Sequence, residues 1–100
     1  MAAVGGQDIS CRQWIIRGRV QGVGFRGYVL RAAGYLTLQG TVKNLADGSV
    51  EVVARGPCQR IQELAVALGR GPAFARVTQV TEAPGFLPAD HDGFRVEYGS

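Results

Sequence analysis

The stretch Gly40-Thr41-Val42-Lys43-Asn44-Leu45-Ala46-Asp47-Gly48-Ser49-Val50-Glu51-Val52 decides the fold. On one side of Asp47-Gly48, Leu38, Gly40 and Val42 alternate with Gln39, Thr41 and Lys43. On the other side Val50, Val52 and Ala54 resume the same period of two. Alternation of this kind marks strands, and Asp-Gly between two such runs signals a tight reversal. The two strands are therefore expected to form an antiparallel hairpin.

Working outward towards the N-terminus, Trp14, Ile16, Gly18 and Val20 alternate with Ile15, Arg17 and Arg19, which predicts a strand from Cys11. Gln21 to Gly24 break it. Phe25, Tyr28, Val29, Ala32, Ala33 and Leu36 then fall on one helical face, with Gly34 expected as a left-handed cap. Towards the C-terminus, Pro57 is expected in the first turn of a second helix, where its missing N–H is harmless. Ile61, Leu64, Ala65 and Leu68 supply the apolar face of that helix, and Gly69, Gly71 and Pro72 its stop. Arg76 to Glu82 predicts a fourth strand, Pro84 to Gly93 a polar loop, and Phe94, Val96 and Tyr98 a short fifth strand. The order βαββαβ with a short final strand predicts an α+β, ferredoxin-like sandwich, a mostly antiparallel sheet with two helices on one face. That fold hosts unrelated activities, so function has to be read from a site.

Composition narrows the site. One hundred residues, 46% hydrophobic and 19% charged, suffice for a single core and no second domain. Residues 11–100 are read as that domain and 1–10, small and without periodicity, as a loose leader. A single histidine, His91, and two cysteines, Cys11 and Cys58, cannot assemble a zinc cluster, and no metal or cofactor is expected. His91, in a polar loop with nothing nearby to orient it, is read as solvated. The thiols are read as reduced. A net charge of +3 suits an anionic ligand but falls short of a nucleic-acid-binding tail. No apolar run approaches the ~20 residues of a membrane span, and Met1 to Gly6 lacks the pattern of a signal peptide, so a cytoplasmic protein is expected.

Gly18-Arg19-Val20-Gln21-Gly22-Val23-Gly24-Phe25-Arg26 sits where a strand hands over to a helix. Glycines there let backbone N–H groups turn inward, and such a nest at a helix N-terminus suits a phosphate. Arg26, in the first turn, can hold two oxygens at once, although a cation is unfavourable towards that end of the dipole. An ordinary strand-to-helix connection with a solvated Arg26 explains the pattern equally well. The run Gly22-Val23-Gly24-Phe25-Arg26-Gly27 matches a dinucleotide fingerprint, but that site needs a parallel second strand and further crossovers. The hairpin at Asp47-Gly48 excludes it and makes Asp47 a turn residue. Asn44 ends its strand either as a turn starter or with its amide facing the glycine loop.

These two segments, Gly18 to Arg26 and Gly40 to Asn44 with Asp47-Gly48-Ser49-Val50-Glu51-Val52 after it, resemble the acylphosphatase family. Gly56-Pro57, Gly71 to Val77 and the closing Phe94-Arg95-Val96-Glu97-Tyr98 extend the resemblance, which leaves out only the leader. It implies metal-free hydrolysis of the carboxyl–phosphate bond of small acyl phosphates to a carboxylate and phosphate. It also implies a phosphate-binding loop of Gln21, Gly22, Val23, Gly24, Phe25 and Arg26, with Arg26 and Asn44 catalytic. Small acyl phosphates and inorganic phosphate are the expected partners, and a monomer the expected state. Acyl phosphates are mixed anhydrides whose leaving carboxylate is a weak base, so no general acid is needed. What remains is to neutralise the phosphoryl oxygens and to align a water in line with the breaking bond. Thr41 stands where members of the family often carry an aromatic residue, and the Pro84 to Gly93 loop is long. Three rivals share the topology. One is a carbamoyl-phosphate-handling domain of a larger maturation protein. Another is a regulatory small-molecule-binding domain, which normally acts as a dimer attached to an enzyme. The third is an RNA-binding module, which would stack bases on aromatics of strands one and three; strand three has none and strand one only Trp14.

Overall fold

A computed structural model describes residues 8–98. Met1 to Gln7 of the expected leader lie outside the described residues. The elements run β1 (Ile9–Arg19), α1 (Phe25–Tyr35), β2 (Gln39–Asn44), β3 (Val50–Pro57), α2 (Cys58–Arg70), β4 (Arg76–Pro84) and β5 (Phe94–Val96). They build one five-stranded sheet in the order β4-β1-β3-β2-β5, antiparallel except where β5 lies parallel to β2. This is the expected α+β sandwich. β1 starts at Ile9 because Ile9 and Ser10 pair with Pro57 and Gly56.

Strand alternation sends Trp14 and Ile16, Val50 and Val52, and Val42 to the helix side, where they meet Val29, Ala33, Ile61, Leu64 and Leu68 in the core. The buried Trp14 indole N–H donates to a Glu82 carboxylate oxygen at 3.1 Å, and Arg12 Nε reaches the other oxygen at 2.9 Å. A ring held in this way has no face to offer a nucleotide base.

Three local readings are corrected by the structure. Gly34 lies inside α1, and the left-handed residue is Thr37, at φ 57°. The Thr37 N–H donates to Gly34 O at 3.1 Å and the Leu38 N–H to Ala33 O at 3.0 Å, so the helix ends in a Schellman motif. Burying Leu38 beside Ala33 outweighs the strain at Thr37. Pro57 closes β3 and precedes the first turn of α2 as its N-cap, and Gly69 is helical, α2 being stopped at Gly71.

The third correction concerns His91, which is buried rather than solvated. Its Nε2 lies 3.0 Å from Gly40 O and its Nδ1 3.4 Å from an Arg95 guanidinium nitrogen. A ring that donates through Nε2 and accepts at Nδ1 satisfies both contacts. The loop around it is drawn over the sheet by Arg55, which donates to the carbonyls of Pro88 and His91 at 3.1 and 3.0 Å. No local pattern reports a contact across so many residues. His91→Ala is expected to cost about 0.5–1.5 kcal/mol by removing the imidazole hydrogen bond to the Gly40 carbonyl, which also belongs to the ladder between β2 and β5. Urea unfolding measures this, and an unchanged midpoint would remove the clasp role.

Candidate active site

Asn44 is delivered by parity. In β2 the side chains of Val42 and Asn44 share the helix side, so the last residue of the strand emerges beyond the core, opposite Val50. Its Oδ1 is buried and has no hydrogen-bond partner among the described residues. A buried acceptor without a partner is costly, which makes this atom a place where a water or ligand is wanted. The turn-starter reading falls away because Asp47 does that work. Asp47 Oδ1 accepts from the Ser49 N–H at 3.0 Å and from the Ser49 hydroxyl, and the Gly48 N–H closes the turn on Leu45 O at 3.1 Å. Those bonds from Ser49 hold the Asp47 carboxyl below the usual carboxylate range.

The glycine loop faces Asn44. Gly22 and Gly24 have φ of 74° and 80°, and a Cβ at either would meet nothing within 4 Å. Glycine is therefore required by the backbone conformation and not by lack of space. Gly24 is the N-cap of α1, with no side-chain cap and no acidic residue in the first turn. Among the described residues, no N–H from Gly22 to Arg26 donates to a backbone carbonyl. The loop is moored by Gln21, whose Nε2 donates to the carbonyls of Leu45 and Ser49, each at 2.9 Å. Gln21 thus bolts the loop to the hairpin turn.

Between loop and strand lies a cavity of about 250 Å³, bordered by Gly22, Gly24, Phe25, Arg26 and Asn44 among the expected residues. Gln21 and Val23 do not border it; Val23 packs against the core. Val20, Gly27, Val96 and Tyr98 complete the wall, in which Arg26 is the single charged group among the described residues. A donor-rich, cationic cavity without a carboxylate suits an anion.

Tyr98 was missed by sequence reasoning as a site residue. The Arg26 guanidinium carbon lies 5.5 Å from the centroid of its ring. The parallel register pairs Val42 with Val96, so two residues further on Tyr98 arrives beside Asn44. The alternation of Phe94, Val96 and Tyr98 was legible, but the neighbour of that strand was not.

A larger cavity of about 780 Å³ opens beside the Gln39 end of β2, lined by Leu30, Leu38, Phe94 and Arg55 among others. It lacks the convergence of free donors, since Arg55 already serves Gln39 and the loop carbonyls. Both cysteines are free, and burial pushes the Cys11 thiol up. Among the described residues no three His, Cys, Asp or Glu side chains gather as a metal site, and no helix is long and apolar enough to cross a membrane.

Fold and cavity together define a small α+β sandwich with a basic, amide-lined pocket between its first loop and the end of its second strand. The family model described as acylphosphatase matches residues 12–96. An acylphosphatase of Solibacter usitatus (strain Ellin6076) is 46% identical over 85 residues, 85% of this chain and 88% of that relative. The crystal structure of acylphosphatase from Bacillus subtilis matches with a TM-score of 0.84 at 36% identity, covering 91% of this chain and 100% of that one. The chain belongs to the acylphosphatase family. A crystal structure of T.kodakarensis HypF is also similar, with a TM-score of 0.78 at 30% identity, but the match covers 89% of this chain and only 12% of that one.

Proposed function

We propose that this member of the acylphosphatase family hydrolyses the carboxyl–phosphate bond of small acyl phosphates, with Arg26 and the loop N–H groups holding the phosphoryl oxygens. Asn44 orients the attacking water. The observation that carries this reading is the unpartnered, buried Oδ1 of Asn44 at the edge of a cavity whose one charge is Arg26. An acceptor amide opposite a cationic nest supplies what an in-line displacement on phosphorus requires, a fixed water and neutralised equatorial oxygens.

An amide is too weakly basic to deprotonate the water, and among the described residues no carboxylate or histidine borders the cavity. The proton passes to a phosphoryl oxygen of the substrate as the carboxylate departs. At about 250 Å³ the cavity is smaller than the ~300–1,000 Å³ of sites that enclose drug-sized ligands. It takes the phosphoryl end, and the acyl group remains largely outside, which supports broad tolerance of small acyl groups.

The reaction proceeds without a metal ion in this proposal. Hydrolysis of a small aromatic acyl phosphate is expected to continue at an undiminished rate in excess chelator. Loss of activity on chelation, restored by a divalent cation, would overturn it. A monomeric cytoplasmic enzyme that does not bind nucleic acid completes the proposal, supported by the two free thiols and the burial of Trp14.

A further inference from the structure

Arg26 poses a problem of preorganisation. A guanidinium that binds an anion works best when it is already aimed, yet its side chain is among the most flexible. Arginines are usually fixed by carboxylates, but a carboxylate here would take up the N–H fork and cancel the charge that the phosphoryl group needs. Among the described residues Arg26 forms no ion pair and no side-chain hydrogen bond; its one recorded partner is the Tyr98 ring at 5.5 Å.

A ring face attracts the cation through its quadrupole without accepting a conventional hydrogen bond from the fork, and 5.5 Å is within the ~6 Å reach of that interaction. It also offsets the unfavourable placement of a cation in the first turn of α1. Tyr98 itself is 83% exposed, so the core does not hold its ring. Its position comes from the chain, because the preceding Glu97 N–H donates to Val42 O at 2.9 Å and extends the ladder between β5 and β2. Alternation then sends the Glu97 carboxylate to the opposite side of the strand from Tyr98 and Val96, away from the cavity. The strand thus presents an aromatic ring to the arginine and withholds the neighbouring acid.

We infer that Tyr98 is a positioning residue for the phosphate-binding arginine, a π-face clamp that aims Arg26 into the cavity and leaves its N–H groups free for the phosphoryl oxygens. The inference rests on the assignment of Arg26 to phosphate proposed above.

The test uses the full chain and its Tyr98→Leu, Tyr98→Phe and Arg26→Ala variants. It compares inhibition by inorganic phosphate with kcat and KM for acetyl phosphate and benzoyl phosphate. Tyr98→Leu is expected to weaken phosphate inhibition roughly two- to fivefold and to lower kcat/KM by the same factor for both substrates. Tyr98→Phe should recover most of the loss, because the ring and not the hydroxyl does the work. A Tyr98→Leu loss confined to benzoyl phosphate, with phosphate inhibition unchanged, would make Tyr98 an acyl contact and overturn the inference. A leucine variant equal to the parent in every constant would overturn it too. Unchanged phosphate inhibition in Arg26→Ala would instead place the fault with the reading of the site. Thermal unfolding of each variant separates these outcomes from a general loss of fold.

Discussion

Replacing Arg26 by alanine is expected to lower kcat/KM for a small acyl phosphate by about 10³–10⁵-fold, the range seen when an arginine that stabilises phosphoryl-transfer charge is removed. Among the described residues the cavity holds no second cation that could stand in for it. Inhibition by inorganic phosphate should disappear in the same variant. Arg26→Lys should recover only part of the activity, since an ammonium supplies the charge but not the two-pronged donor geometry. The fold should survive, because Arg26 is half-buried at the start of α1 and outside the core that Phe25, Val29 and Ala33 enter. Full turnover in Arg26→Ala, measured by release of phosphate, would end the assignment.

Asn44→Ala is expected to produce the complementary loss. Turnover falls by about 10²–10³-fold, the usual effect of removing one preorganised polar group from a reacting site. Phosphate inhibition persists because the loop N–H groups and Arg26 are untouched. The stability of this variant should match or exceed that of the parent, since the substitution removes a buried oxygen that lacks a partner. A variant that loses activity while gaining stability is the mark of a group kept for function. If Asn44→Ala loses phosphate binding in proportion to turnover, then the amide holds the phosphoryl group and not the water.

Most of the sheet, and half of the pocket, was legible in the sequence because both depend on short-range rules. Asp47-Gly48 between alternating runs fixed the hairpin. For Asn44 the pattern alone left a turn starter open beside an amide facing the glycine loop, and only the resemblance to the acylphosphatase family singled it out. Gly22 and Gly24 were recognisable because glycine at a strand-to-helix junction announces a backbone conformation that other residues avoid. What escaped depends on neighbours far along the chain. Tyr98 sits in a readable strand, but nothing in Phe94 to Tyr98 says that it pairs in parallel with β2. His91 looked solvated because its loop is polar, and its burial follows from Arg55 gathering the loop carbonyls. Thr37 took the left-handed cap from Gly34 because the packing of Leu38, and not the cost at one residue, sets where α1 ends.

Gln21 couples the pocket to folding itself. Its amide joins the glycine loop to carbonyls 24 and 28 residues away, on the turn that follows Asn44. The two halves of the pocket therefore have no fixed separation until β2 and β3 have paired and that turn is in place. Catalytic competence is consequently a readout of the whole sheet: when a denatured chain renatures, activity returns with the cooperative transition and requires no later maturation of the loop.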